Sequence, residues 1–210
     1  MTYSFHVLIA TIGKKSIFNQ LDSLIHQLCP KDYLTIVFDN KDIDNVFQEV
    51  SNYQFSCNYN VIMEPNTLGS FGHGIRNKYN ILEGDFIMHA DDDDLYADDA
   101  FSKIRKLCKD KDTLYIFKIC GFWKSELEII PKTDKIKYGN ISTQCGVIPK
   151  DINHKSNWGD GYGGDACFYI ELTKHAINIK FYNDIIYYYR QDQWYNRFKP
   201  KIEKKRRIYI

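Results

Sequence analysis

The sequence predicts an α/β domain with a mostly parallel central sheet flanked by helices and a small additional sheet in its second half. Three observations lead there. Short runs that are apolar along their whole length alternate with stretches of helical periodicity, the pattern of strands buried on both faces. Each run breaks off at polar residues: Thr11, Asp39, Glu64 to Asn66, and Asp91. Right-handed crossovers place such ends on one edge of a sheet, so clusters far apart in the chain are expected to share one crevice.

Phe5 to Thr11 reads as a buried strand that Gly13 ends. Ile17, Leu21, Leu24, Ile25 and Leu28 follow at helical spacing before Pro30. Leu34 to Phe38 is a second strand, Asp44 to Val50 a short helix, and Tyr59 to Met63 a third strand. A glycine-rich loop, Gly69-x-x-Gly72-x-Gly74, leads into a helix at Ile75 to Leu82. Phe86 to His89 is the fourth strand, and a helix covers Ala97 to Cys108. Beyond it the pattern changes, with strands at Leu114 to Phe122, Leu127 to Ile130 and Ile141 to Ile148. The glycine-dense loop Asn157 to Gly164 precedes a helix at Asp165 to Ala176 and short strands at Ile179 to Phe181 and Ile185 to Tyr189. A basic tail runs from Lys199 to Arg207.

A chain of 210 residues fits one domain. Lys plus Arg is 28 against 27 for Asp plus Glu, a net charge of +1, which argues against a nucleic-acid-coating role. The six cysteines include no C-x-x-C pair, which removes zinc-ribbon and thioredoxin readings. Several sit among apolar neighbours, as free thiols do in a reducing compartment, and a cytoplasmic location is expected. The N-terminal residues lack a signal-peptide pattern, and no apolar run approaches the ~20 residues of a membrane span.

Asp91-Asp92-Asp93-Asp94 is the stretch that packing alone does not account for. Unpartnered carboxylates are costly to bury, and hard divalent cations favour carboxylate oxygen. If strand alternation persists, Asp91 and Asp93 share a face and Asp92 points away, mattering least. The competing reading is a solvated acidic turn ahead of the next helix. The glycine loop is a weak phosphate signal, since it lacks the P-loop lysine and the G-x-G-x-x-G spacing.

Taken in order, Ala10-Thr11-Ile12-Gly13, Asp39, Asn66-Thr67-Leu68-Gly69 with Arg76-Asn77, Gly84-Asp85-Phe86-Ile87 into the four aspartates, and Gly164-Asp165 resemble the motifs of GT-A glycosyltransferases of the family-2-like group. Tyr187-Tyr188-Tyr189-Arg190 is similar to the end of such domains. The resemblance implies a single Rossmann-like nucleotide-diphospho-sugar transferase domain over residues 1–210. Its nucleotide-sugar-binding half would run to about residue 96 and its acceptor-binding half from 97 to about 198. It implies a nucleotide-diphosphate sugar as donor and a glycan or glycoprotein as acceptor. Asp39 would hold the base or ribose, Arg76 the diphosphate, and Asp91 the ribose or metal-bound water. Asp93, with Asp91, would carry Mn²⁺ or Mg²⁺. Thr11 and Asn66 would complete the donor site, and Asp165 would take the acceptor's proton. Gly163-Gly164-Asp165 replaces the usual acidic pair, which leaves retention open beside inversion. His154 and His175 are candidates for a further metal ligand, and Trp158 and Tyr162 for stacking on an acceptor sugar, each against an ordinary structural role. Two rivals remain: a sugar-phosphate nucleotidyltransferase, for which Gly13-Lys14-Lys15 is a thin signature, and a non-catalytic module binding Ca²⁺ or carbohydrate through the acidic loop.

Overall fold

The computed structural model describes residues 3–123 and 126–189. Arg190 and the basic tail lie outside the described residues. The elements, in chain order, are β1 (Phe5–Thr11), α1 (Ser16–Ile25), β2 (Tyr33–Asp39), α2 (Val46–Ser51), β3 (Asn58–Glu64), α3 (His73–Lys78), β4 (Phe86–Asp91), β5 (Leu95–Tyr96), α4 (Ala100–Leu107), β6 (Thr113–Trp123), β7 (Glu126–Ile130), β8 (Gly146–Pro149), α5 (Lys150–Asn153), α6 (Gly164–Leu172) and β9 (Asn178–Tyr188). Short 3₁₀ turns cover Ser70–Gly72 and Thr143–Cys145.

The strands form one sheet in the order β3-β2-β1-β4-β8-β6-β9-β5, with β7 paired to β6. The first four pair in parallel. Because β4 returns on the far side of β1 from β2, the strand order reverses between β1 and β4. That reversal is where open α/β sheets bind ligands. Every residue of β1 is buried, and successive side chains feed opposite faces. Phe5, Val7 and Ile9 join the large core that includes α1 and α4. Leu8 and Ala10 join a smaller one with Val37, Ile75 and Ile87 under α3.

The second half departs from expectation in detail. Its strands pair among themselves, as the expected additional sheet does, and also join the parallel sheet. Antiparallel β8 joins β4 to β6, so one curled sheet continues through them. The strand expected at Ile141 to Ile148 is a 3₁₀ turn followed by β8 alone. The two short strands expected near the end are a single strand, β9, with register shifts against β6. Most helices are shorter than their apolar periodicity suggested, because Leu28, Leu82 and Cys108 are buried from the connections that follow α1, α3 and α4.

Candidate active site

The crevice at the β1/β4 reversal is a cleft of about 230 Å³. Thr11, Asp39, Asp91, Asp92 and Asp93 all line it, so the strand ends meet as their polar termini predicted. A larger hollow of about 350 Å³, bordered by Ile136, Thr173 and Phe181, carries none of these groups.

Asp91 is held from both sides. Arg76 reaches it from α3, fully buried, donating to Asp91 Oδ1 and to the carbonyls of Ala90 and Phe71, both at 3.1 Å. Gln144, in the 3₁₀ turn before β8, donates through Nε2 to Asp91 Oδ2 at 2.5 Å and to Asp94 Oδ2 at 3.0 Å. Tyr187 on β9 donates its hydroxyl proton to the Asp91 carbonyl at 3.3 Å, and Gln20 of α1 donates to that hydroxyl at 3.0 Å. The aspartate is thus positioned by helix, sheet and turn together. One expectation needs correction here: Arg76 does not open on the cleft to meet a diphosphate. Burying a guanidinium requires paired acceptors, and its acceptors are Asp91 and two backbone carbonyls.

β4 ends at Asp91, so strand alternation does not govern the next three residues. Asp92 therefore does not point away from the site. It is buried on the cleft wall and accepts from Thr11 Oγ1 at 2.5 Å, while Thr11 Oγ1 accepts from the Gly13 N–H at 2.9 Å. Burial pushes the Asp92 carboxyl up to about 6, with the charges of Asp93 and Asp91 adding to the rise and the Thr11 hydrogen bond and Lys14 opposing it. Asp93 is half-exposed, with Lys14 Nζ at 3.7 Å from its Oδ2.

Asp39 lines the cleft but spends both oxygens on the loop after β3. Its Oδ1 accepts from the Leu68 N–H at 2.6 Å and its Oδ2 from the Gly69 N–H at 2.8 Å. Asn66 is exposed on that loop and does not line the cleft; its N–H donates to Glu64.

Asp165 opens α6, accepting from the Ala166 N–H at 2.7 Å. α6 is tied to the turn that carries Gln144, since Tyr169 donates to the Thr143 carbonyl and accepts from the Gly146 N–H. Burial raises the Asp165 carboxyl above the usual aspartate range; the charge of Asp91 adds to this and Arg76 works against it. Asp165 does not itself line the cleft with Asp91, Asp92 and Asp93.

Four further candidates are not brought to the site. Trp158 is 3% exposed and lies flat on Phe168, centroids 4.1 Å apart, with His89 against its ring; it packs and does not present a stacking face. Tyr162 is exposed on the glycine loop without lining the cleft. His175 faces Glu171 at 3.7 Å on α6, and His154 is exposed after α5; neither joins the aspartates. Conversely, Gln144, Lys14 and Phe71 belong to the site without having been assigned to it.

The donor chemistry fits a hard divalent cation. Three consecutive carboxylates border the cleft, and each oxygen that accepts a hydrogen bond keeps a second lone pair. Among the described residues, no three His, Cys, Asp or Glu side chains are grouped so as to hold a metal ion by themselves. Mg²⁺-type sites are commonly completed by substrate phosphates and water, with one or two carboxylates from the protein.

An open sheet reversing between β1 and β4, with carboxylates at the reversal, matches a GT-A-like domain in fold. Solved structures of S. aureus TarS share the fold. TarS 1-349 matches with TM-score 0.69 and 19% identity over 88% of this chain and 60% of that one. A second TarS structure gives 0.70 and 18%, over 88% and 36%. TarS 1-349 in complex with UDP-GlcNAc gives 0.69 and 18%, over 88% and 58%. This chain thus spans no more than 60% of these solved chains. No protein-family model matches the sequence, and a search of curated proteins gives no match. Among the described residues, no helix is long and apolar enough to cross a membrane.

Proposed function

We propose that this protein is a glycosyltransferase that moves a hexosyl or deoxyhexosyl group from a nucleotide-diphosphate sugar, UDP-linked, to a hydroxyl of a glycan or glycoprotein acceptor. The observation that carries this reading is the braced carboxylate crevice at the β1/β4 reversal. Asp91 is locked by Arg76 and Gln144, while Asp93 is left half-exposed beside Lys14. A ligand-bearing relative in fold supports the donor class, since TarS 1-349 was solved with UDP-GlcNAc and with UDP. The six cysteines are free thiols, which supports a reducing, cytoplasmic setting.

Asp93, with Asp91, would hold Mn²⁺ or Mg²⁺. When bound, the ion supplies Lewis-acid stabilisation of the departing nucleoside diphosphate. Lys14 adds a half-exposed positive charge at the same mouth. Asp165 accepts the proton of the acceptor hydroxyl as that oxygen attacks the anomeric carbon. The bond from that carbon to the diphosphate oxygen breaks, and the electron pair leaves with the nucleotide. Attack from the opposite face inverts the anomeric centre. Burial suits Asp165 to this role, because a raised pKa makes the carboxylate a stronger base. Asp39 keeps the loop over the nucleotide in place through its backbone bonds.

The test is a panel of nucleotide sugars with Mn²⁺ or Mg²⁺, with free nucleoside diphosphate and pyrophosphate measured separately. Metal-dependent release of UDP supports the transferase. Release of pyrophosphate from a nucleoside triphosphate and a sugar phosphate would support the nucleotidyltransferase instead.

A further inference from the structure

Tyr169 stands on α6 one turn after Asp165, so the two share a face of that helix. Its side chain is fully buried, yet it carries a hydroxyl that a phenylalanine of nearly the same shape would not have to satisfy. That hydroxyl donates to the Thr143 carbonyl at 2.8 Å and accepts from the Gly146 N–H at 3.0 Å. Both peptide groups belong to the short turn that carries Gln144, one on each side of it. The approach is built into the backbone. A Cβ at Gly146 would meet the Tyr169 hydroxyl and ring at 2.5 Å, although Gly146, at φ −100° and ψ 139°, has a conformation that any residue adopts. Space for the phenol, and not backbone conformation, is what requires glycine there.

We infer that Tyr169 is a positioning residue of the active site, which sets Asp91 and Asp94 through Gln144. The inference rests on the proposed nucleotide-sugar function and adds to it the part that fixes the donor-side carboxylates. Gln144 is buried and its amide is committed at both ends. Its Oε1 accepts from Ser142 Oγ at 3.2 Å, and its Nε2 donates to both Asp91 and Asp94. One amide nitrogen therefore bridges two carboxylates whose charges repel each other. A rotation of the turn would withdraw that nitrogen, and Tyr169 bonds the backbone of the turn on both sides of it. The phenol ring also stands edge-on to Trp158, with centroids 6.2 Å apart. Over the Trp158 ring, 5.1 Å from its centroid, lies the guanidinium carbon of Arg76, the other brace of Asp91. Through one side chain, α6 is linked to both braces of Asp91, and the same helix carries Asp165. Outer partners of this kind orient the groups that bind a metal, and their loss weakens binding.

The experiment is calorimetric titration of UDP into the intact protein in the presence of Mn²⁺, with melting temperatures measured alongside. Wild type is compared with Tyr169→Phe, Gln144→Met, their double variant, Gly146→Ala and Ser156→Ala. Gln144→Met is expected to weaken UDP binding by about 10- to 100-fold. Tyr169→Phe, which deletes only the hydroxyl, is expected to weaken it by about 2- to 30-fold. Gly146→Ala drives the phenol off the turn from the other side and weakens UDP binding as Tyr169→Phe does. The double variant binds UDP as Gln144→Met alone does, because Tyr169 acts through Gln144. Ser156→Ala removes a buried hydrogen bond to the Phe168 carbonyl of the same helix; it lowers the melting temperature and leaves UDP affinity unchanged. Unchanged UDP affinity in Tyr169→Phe and Gly146→Ala overturns the inference. Multiplied losses in the double variant, or an equal loss in Ser156→Ala, overturn it as well. Failure of the wild type to bind UDP at all would instead remove the nucleotide-sugar reading itself, before any variant is compared.

Discussion

The guanidinium of Arg76 lies wholly inside the protein and ends on the carboxylate of Asp91, at the mouth of the cleft. Its Nε has no partner, so its bonding is concentrated in the two Nη groups directed at Asp91, Ala90 and Phe71. Removing one member of a buried ion pair costs about 3–5 kcal/mol, because the other is left desolvated. Here Asp91 stays partly exposed, so the cost falls toward the lower end. Arg76→Met is expected to lower unfolding free energy by about 3 kcal/mol in urea titration. It is also expected to weaken nucleotide binding by freeing Asp91 and the Phe71 carbonyl together. A variant as stable as wild type would mean that the pair is not formed in solution.

Thr11 links the end of β1 to Asp92. Thr11→Val keeps the shape of the side chain and deletes the Oγ1 that donates to Asp92 and accepts from Gly13. The variant should lose about 1–3 kcal/mol, with two buried polar groups unsatisfied. Equal stability of Thr11→Val and wild type would show that Asp92 is solvated and unpaired.

Much of this arrangement was legible in the sequence. The unbroken apolar run of β1 requires burial on both faces, and its end at Thr11, like that of β4 at Asp91, marks the sheet edge where the cleft lies. Glycines and polar strand ends located the loops. What escaped was set by contacts between distant residues. Gln144 comes to Asp91 from 53 positions away, in a turn that reads as strand by composition. Asp92 was misplaced because alternation was carried one residue past the end of β4, into a turn. Trp158 looked like a sugar platform from its glycine-rich setting. Yet Asn77 bonds its backbone on both sides, and Phe168 and His89 cover its ring.

Asp165 should control the acid side of the rate profile. As a general base it must be ionised, and burial holds its pKa above the ordinary aspartate value. The kcat/KM of wild type should therefore rise with pH through a limb displaced above the usual carboxylate range. Asp165→Asn should lose that limb and about 10²- to 10⁴-fold in kcat, with donor KM unchanged. A variant that keeps both limb and rate assigns the proton transfer elsewhere.

Two buried histidines contribute to the acid sensitivity of the fold. Burial lowers His6 to about 4 and His89 to about 3, so both are neutral in the folded protein at pH 5. The unfolded chain takes up their protons near 6.5, so it binds more protons than the native state between 6.5 and the folded values. Their stabilisation is present in full above pH 6.5 and is lost as pH falls through that window. For His6 alone this amounts to about 2 kcal/mol between pH 7.5 and 5. Urea titrations at the two pH values should give a smaller difference for His6→Gln than for wild type. An unchanged difference would contradict the burial of a neutral ring.

The most direct test of the central claim is UDP release from UDP-sugars by wild type and Asp93→Ala across a range of Mn²⁺ concentrations. Asp93 is half-exposed, so the substitution should leave the melting temperature close to that of wild type. Metal-dependent release by wild type that is abolished in a folded Asp93→Ala is the result expected of a nucleotide-sugar transferase working through this cleft. Full release by Asp93→Ala at saturating metal would contradict it.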